Sequence, residues 1–170
     1  MRTILKHIRG QRVLDMGCGD GETARYIAER LGVTIDAVDF SAKMLSLAKP
    51  ALPNSPGSIQ YHRSDLILWT KMRYDTIYTE RTIINLQAWD EQLYSINHLI
   101  ELLAPGGRYL MCESSEDGLI YINRMRSLVG LPEIVAPAHT RYLRNVEIAE
   151  AIRLGQLQAC RVVDFSWPYY

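Results

Sequence analysis

Three acids and three glycines crowd the stretch Asp15-Met16-Gly17-Cys18-Gly19-Asp20-Gly21-Glu22. Apolar Val13 and Leu14 precede it, and Ala24, Ile27, Ala28 and Leu31 follow at helical spacing. A glycine-rich turn between a strand and a helix usually cradles phosphate, because its amides and the helix N-terminus attract an anion. The acids change that chemistry. Asp20 and Glu22 already complement the helix dipole and would repel a pyrophosphate. The spacing G-x-G-x-G also puts Glu22 where a dinucleotide-binding turn needs its third glycine, which disfavours a nicotinamide oxidoreductase. The turn suits a ligand that carries a nucleoside and a positive charge but no phosphate. Cys18 reads as a small turn residue.

The elements that position this turn follow from periodicity and punctuation. Residues 12–17 read as a buried strand and 22–31 as a helix that stops at Gly32. A second strand is expected at 34–40, followed by a helix capped by Ser41 and halted before Pro50. Residues 50–58 form a loop by composition. Strands are expected at 59–66 and 74–80, and a long helix at 88–103. "APGG" is expected to end that helix before a fifth strand at 108–114. A further helix spans about 117–130, a proline-containing connection 131–144, a helix capped by Asn145 follows, and a sixth strand closes the chain. Alternating strands and helices imply an α/β, doubly wound, mainly parallel sheet with helices on both faces. Such a sheet binds ligands beyond the carboxyl ends of its strands, where the strand order reverses.

The chain has 170 residues, 48% of them apolar and 22% charged, with 19 basic and 19 acidic side chains. That suits one domain over 1–170. Zero formal charge gives no bulk attraction to nucleic acid or to an anionic membrane. Cys18, Cys112 and Cys160 lack metal-ligand spacing, so no metal is expected and a cytoplasmic setting is. No apolar run is long enough to span a membrane.

The pattern Asp15-x-Gly17-x-Gly19-x-Gly21 resembles the first motif of class I S-adenosylmethionine-dependent methyltransferases. The likeness continues in order through "AVDFSAKML", "HRSDL", "YDTIYTERTIINL" and "LLAPGGRYLMCES", covering about 12–115. It implies a Rossmann-like fold and S-adenosylmethionine as cofactor. By this resemblance Asp15 matches the acid that holds the methionine amino end. Gly17 and Gly19 let the backbone approach the ligand, with Cys18 between them. Asp39 matches the carboxylate that accepts both ribose hydroxyls. Phe40 and Met44 look like apolar walls for adenine, Asp65 with Leu66 matches the position beside its amino group, and Thr79 meets the methionine end. Asp65 could instead merely cap a turn. Asp75 is usually structural in this family. Asp36 points away from Asp39 by strand alternation and reads as a surface residue.

Methyl transfer is an in-line displacement that rests on positioning, and a base is needed only where the acceptor has a proton to lose. After the fourth strand the chain lacks the Asn/Asp-Pro-Pro-aromatic motif of many enzymes that methylate planar nitrogens. Acceptor contacts are expected from Glu80, Arg81, Glu113 and the 131–144 connection. His139 is the titratable candidate for a base there, with Glu80 as a second catalytic candidate. Arg124, Arg126, Arg141 and Arg144 either hold an acceptor anion or lie on a solvated face. His98 reads as a surface residue. The segment "NRMRSLVGLPEI…HTRYL" is similar to members encoded with sugar and surface-glycan biosynthesis, which favours a hydroxyl on a sugar-like or other small-molecule acceptor. A cofactor-binding regulator without turnover is the competing reading.

The chain begins about ten residues before its first strand and stops after its sixth, leaving none for the family's seventh strand. The expectation is little N-terminal helical cover, a domain shortened at both ends and an incompletely covered sheet edge. The terminal Phe165, Trp167, Tyr169 and Tyr170 then suggest a homodimer or a missing partner segment.

Overall fold

The computed structural model describes residues 2–155, 157, 161 and 162. Five strands form one parallel sheet: β1 (Arg12–Met16), β2 (Thr34–Asp39), β3 (Ser58–Arg63), β4 (Tyr74–Glu80) and β5 (Leu103–Cys112). The order β3-β2-β1-β4-β5 places the reversal between β1 and β4, beside the glycine turn. The helices are α1 (Arg2–His7), α2 (Glu22–Ala28), α3 (Ala42–Leu47), α4 (Trp89–Glu101), α5 (Glu116–Leu128) and α6 (Asn145–Leu154).

β1 reads Val-Leu-Asp-Met without a polar face because both of its faces are covered. Val13, Ile35, Ala37 and Tyr78 pack with α1 and α2 on one side. Leu14, Met16, Val38 and Ile77 pack with α4 and α6 on the other. Ile4 and Ile8 are both buried, so six-residue α1 supplies cover that was not expected from the sequence. Ser41 caps α3 as expected, accepting from the Met44 amide. Asp75 ties the chain entering β1, accepting from the Gln11 and Arg12 amides and from the Arg12 guanidinium. Those donors hold its carboxyl at about 2.

Several expectations need correction. α2 ends at Ala28, three residues early, and the chain leaves it through a turn whose Gly57 neighbour is hydrogen-bonded to Ala28. The "APGG" segment does not precede β5 but lies within it. Tyr74 pairs with Leu103 and Thr76 with Arg108, so extra β5 residues are accommodated in a bulge where Gly106 has φ +75°. β5 is the edge strand of the five, where Pro105 costs no ladder bond to a further strand. Arg144, not Asn145, is the N-cap of α6.

Asp36 is not a surface residue. It does face away from Asp39, but the chain between β3 and β4 covers that face and leaves it 4% exposed. It accepts from Tyr74 Oη at 2.9 Å and Lys71 Nζ at 2.9 Å, and pairs with His62 Nε2 at 2.8 Å. His98 is half-buried, with Nε2 2.9 Å from the Trp69 carbonyl.

The sixth strand and the terminal aromatics lie almost wholly outside the described residues; Arg161 and Val162, which are described, are not in a strand. Among the described residues no helix is long and apolar enough to cross a membrane.

Candidate functional site

The turn after β1 enters α2 through three glycines with positive φ, +80° at Gly17, +57° at Gly19 and +73° at Gly21. A Cβ at Gly17 would overlap Thr82 Oγ1, and one at Gly21 would overlap the Tyr61 hydroxyl. Both glycines are therefore demanded by the protein's own packing, not only by approach to a ligand. Thr82 was not singled out from the sequence. Its hydroxyl donates to the Met16 carbonyl at 3.0 Å, so it welds the exit of β4 to the turn.

Four of the five amide donors of the turn 17–21 are spent inside the protein. Gly17 and Cys18 both donate to the Val38 carbonyl, at 2.8 and 3.0 Å. Gly19 donates to Asp39 Oδ2 at 2.8 Å, and Gly21 to the Cys18 carbonyl at 2.9 Å. A phosphate cradle needs such amides free, and these four are not.

Carboxylates dominate instead. Asp39 ends β2, is 8% exposed, and its Oδ1 accepts the Ser41 amide at 2.8 Å. Asp15 is buried at 2% exposure. Its Oδ2 and the Tyr78 hydroxyl are buried atoms without a hydrogen-bond partner. Burial raises Asp15 to about 7; the nearby Tyr78 hydroxyl opposes this, and the negative charges of Glu80 and Asp39 add to it. Glu80, at the end of β4, accepts from Thr23 Oγ1 of α2 at 2.8 Å. Asp15, Asp39 and Glu80 thus gather negative charge around one turn, and Asp15 Oδ2, with the Tyr78 hydroxyl as its nearby donor, keeps further acceptor capacity.

Beyond Asp39, Phe40 and Asp65 of the adenine-side candidates come together, while Met44 and Leu66 lie apart from their cleft. Phe40 is 75% exposed and lines an open cleft with Arg63, Ser64 and Asp65. Met44 is half-buried, its Cε in van der Waals range of a Cβ placed on Gly19. Leu66 packs against the core below. Asp65 caps the 3-10 turn Leu66–Leu68, accepting from the Ile67 amide at 3.2 Å. Thr79 is fully buried between β1 and β5, with its hydroxyl 3.0 Å from that of Tyr109. Cys18 is buried beside the turn.

On the acceptor side, Glu113 follows β5 and accepts from the amides of Thr82, Ile83 and Ile84. Burial lifts it to about 7 against the pull of those amides. It pins the 3-10 turn Ile83–Asn85 to the sheet. Arg81 adopts φ +56°, a strained conformation for a residue with a side chain. His139 is exposed; its carbonyl accepts from Gln87 Nε2 at 2.6 Å, and the Arg141 amide donates to the Ile84 carbonyl. The 131–144 connection is thereby strapped to the exit of β4.

The four arginines do not form an anion site. Arg141 and Arg144 both pair with buried Glu147. Arg126 donates to the Pro132 carbonyl, and only Arg124 lies exposed on α5.

The Asp15 environment has a measurable consequence. A cation bound there favours the ionised acid, so affinity should be full above pH 7 and weaken by up to about tenfold per unit below it. Asp15→Asn should bind more weakly and flatten that slope. Titration calorimetry between pH 5.5 and 8 decides; a flat wild-type profile removes Asp15 from the cation contact.

Comparison with known proteins agrees with this geometry. The family described as "Methyltransferase domain" matches residues 13–107. Phosphoethanolamine N-methyltransferase 3 of Arabidopsis thaliana is 32% identical over 95% of this chain, which spans 37% of that relative's length. The ubiquinone biosynthesis O-methyltransferase of Coxiella burnetii is 22% identical over 96% of this chain and 69% of its own. Among solved structures, magnesium protoporphyrin IX methyltransferase from Synechocystis, with bound SAH, has a TM-score of 0.73 at 19% identity, over 94% of this chain and 73% of that one. That likeness establishes a shared fold. With the strand order, the glycine turn and the match over 13–107 in agreement, this chain belongs to the methyltransferase domain family.

Proposed function

We propose that this chain binds S-adenosylmethionine and transfers its methyl group to a small polar acceptor. The single observation that carries this is the turn after β1, four of whose five amides are spent internally while Asp15 and Asp39 face inward with acceptor capacity left. Such a site favours a ligand with hydroxyls and positive charge. Asp39 would take the ribose hydroxyls and Asp15 the methionine amine. Phe40, Met44, Asp65 and Leu66 would flank adenine, with the backbone of Gly17, Cys18, Gly19 and Thr79 along the methionine end. When bound, the cofactor supplies an electrophilic sulfonium methyl.

For the acceptor we favour a hydroxyl of a sugar-like or other small metabolite, with His139 in the strap, or Glu80, taking its proton. A nitrogen acceptor is the second reading, favoured by the relative named for phosphoethanolamine. The two differ in their demand on His139. A hydroxyl must lose its proton as it is methylated, and base removal then costs roughly 10²–10⁴-fold in rate. An alkylamine is an ammonium near neutral pH and must shed a proton before it attacks, so raising the pH towards about 10 should rescue His139→Ala on an amine acceptor but not on a hydroxyl.

Calorimetry with S-adenosylmethionine and S-adenosylhomocysteine, followed by a methyl-transfer screen over sugars, catechols and phosphoethanolamine, tests the proposal. Binding of both ligands with turnover on one acceptor class is the expected result. Absence of binding at millimolar ligand overturns the cofactor assignment. Tight binding with no turnover on any acceptor points to a regulatory subunit instead.

A further inference from the structure

Among the described helices longer than six residues, α5 alone has no buried residue. Glu116, Ile120, Tyr121, Arg124, Met125 and Leu128 are all exposed and recur at three- and four-residue spacing, so they share one side of the helix. Ile120 is 63% exposed and Leu128 74%. The strap folds back against this helix and is held firmly. Asn123 Nδ2 donates to the Ile134 carbonyl and the Ile134 amide returns to Asn123 Oδ1, both at 2.8 Å. Arg126 Nε donates to the Pro132 carbonyl at 2.8 Å. Val135, 81% exposed, extends the apolar surface onto the strap. A surface this apolar on a pinned helix is a contact surface by its chemistry.

Its charge order identifies the occupant. The exposed side runs from an acid at Glu116, through Ile120 and Tyr121, to a base at Arg124. The Arg124 guanidinium has no hydrogen-bond or ion-pair partner among the described residues. A second α5 laid antiparallel about a two-fold axis at Ile120 brings each Glu116 to the other copy's Arg124. The same axis sets Ile120 against Ile120, with Tyr121 alongside. A parallel arrangement would oppose like charges. An anionic lipid surface would meet the acid of Glu116 and its neighbour Asp117. The pattern is self-complementary, as an isologous contact requires. We propose that the outer side of α5, extended by the strap, is a dimerisation surface for a second copy of this chain. The apolar residues supply the affinity, and the Glu116–Arg124 pairs fix direction and register. The proposal does not depend on the methyl acceptor or on cofactor binding.

The test is sedimentation velocity of the full chain from about 1 to 100 µM, the range in which a contact of this kind reports its dissociation constant. A concentration-dependent dimer is expected, with Ile120→Lys weakening it at least about tenfold. Arg124→Glu and Glu116→Arg should each weaken self-association. An equimolar mixture of those two variants should form a heterodimer, because both cross-pairs are then restored. Circular dichroism and melting confirm that each variant is folded; if Ile120→Lys is not, the charge-swap mixture decides. A monomer throughout the range overturns the proposal, whether the surface instead adsorbs to phosphatidylglycerol vesicles or is covered by the chain's own residues. So does a dimer that neither Ile120→Lys nor the charge swaps disturb.

Discussion

Asp39→Ala should abolish S-adenosylmethionine binding in the micromolar range while leaving the domain folded. The carboxylate of Asp39 already holds two amides, from Gly19 at 2.8 Å and from Ser41 at 2.8 Å. An ionised carboxylate has about four lone-pair positions, so two remain for two adjacent ribose hydroxyls. Each charged hydrogen bond contributes about 1.5–3 kcal/mol. Losing two gives roughly 10²–10⁴-fold weaker binding at 1.4 kcal/mol per decade. Asp39→Asn should not rescue, because its NH₂ group must turn towards one of the two amides. The variant also releases the Gly19 amide, and a disordered turn would mimic a lost ligand contact. An analogue without ribose hydroxyls separates the two. It should bind wild type and Asp39→Ala alike if the turn holds, and lose affinity in the variant if the turn collapses. An unchanged dissociation constant for the full cofactor rules the ribose assignment out.

The cofactor side was legible in the sequence because it is nearly local. Asp15 and the turn are contiguous, Asp39 ends the next strand, and strand alternation fixes which side each faces. The geometry still changed the reasons. Gly17 answers to Thr82 and Gly21 to Tyr61, contacts that span 65 and 40 positions and leave no trace in a turn motif. Asp36 shows the limit of alternation, which tells that a residue faces away from its neighbour but not whether water lies there. Trp69, Lys71 and Tyr74 fill that side. "APGG" was read as a helix stop because proline and glycine punctuate. A bulged edge strand tolerates both, and the ladder that decides between the two readings is made with β4. The acceptor side was least legible. It is assembled from Glu113, the strap and the β4 exit, and no short motif spans those pieces.

Glu147 is where that assembly is most exposed to mutation. From composition, Arg141 and Arg144 offered either a solvated surface or a grip on an acceptor anion. They grip Glu147 instead, a buried carboxylate of α6 with 3% exposure. Arg144 contributes its amide at 2.9 Å and its guanidinium at 2.7 Å. Arg141 also donates to Gln92 Oε1 at 2.6 Å, while Gln92 Nε2 donates to the carbonyls of Ile83, Leu86 and Arg141. One network therefore joins α4, α6, the strap and the turn after β4. Burial alone would raise Glu147, but the bonds from Arg141 and Arg144 outweigh it and hold the carboxyl at about 2. Glu147→Ala should leave Arg141 half-buried without its counter-ion and cost about 3–5 kcal/mol. A folded-state value below the unfolded one means that this stability is present above about pH 4.5 and lost as pH falls towards 2. Glu147→Gln keeps the shape but not the charge, so it should be intermediate at neutral pH and flatten the acid limb. Urea unfolding of the three proteins from pH 7 to pH 3 measures both effects. A loss under about 1 kcal/mol in Glu147→Ala at pH 7 would mean the pair is worth no more than a surface ion pair. The strap would then be held by its remaining bonds, to Gln87, Gln92, Asn123 and Arg126 and through the backbone of Arg141 and Leu143.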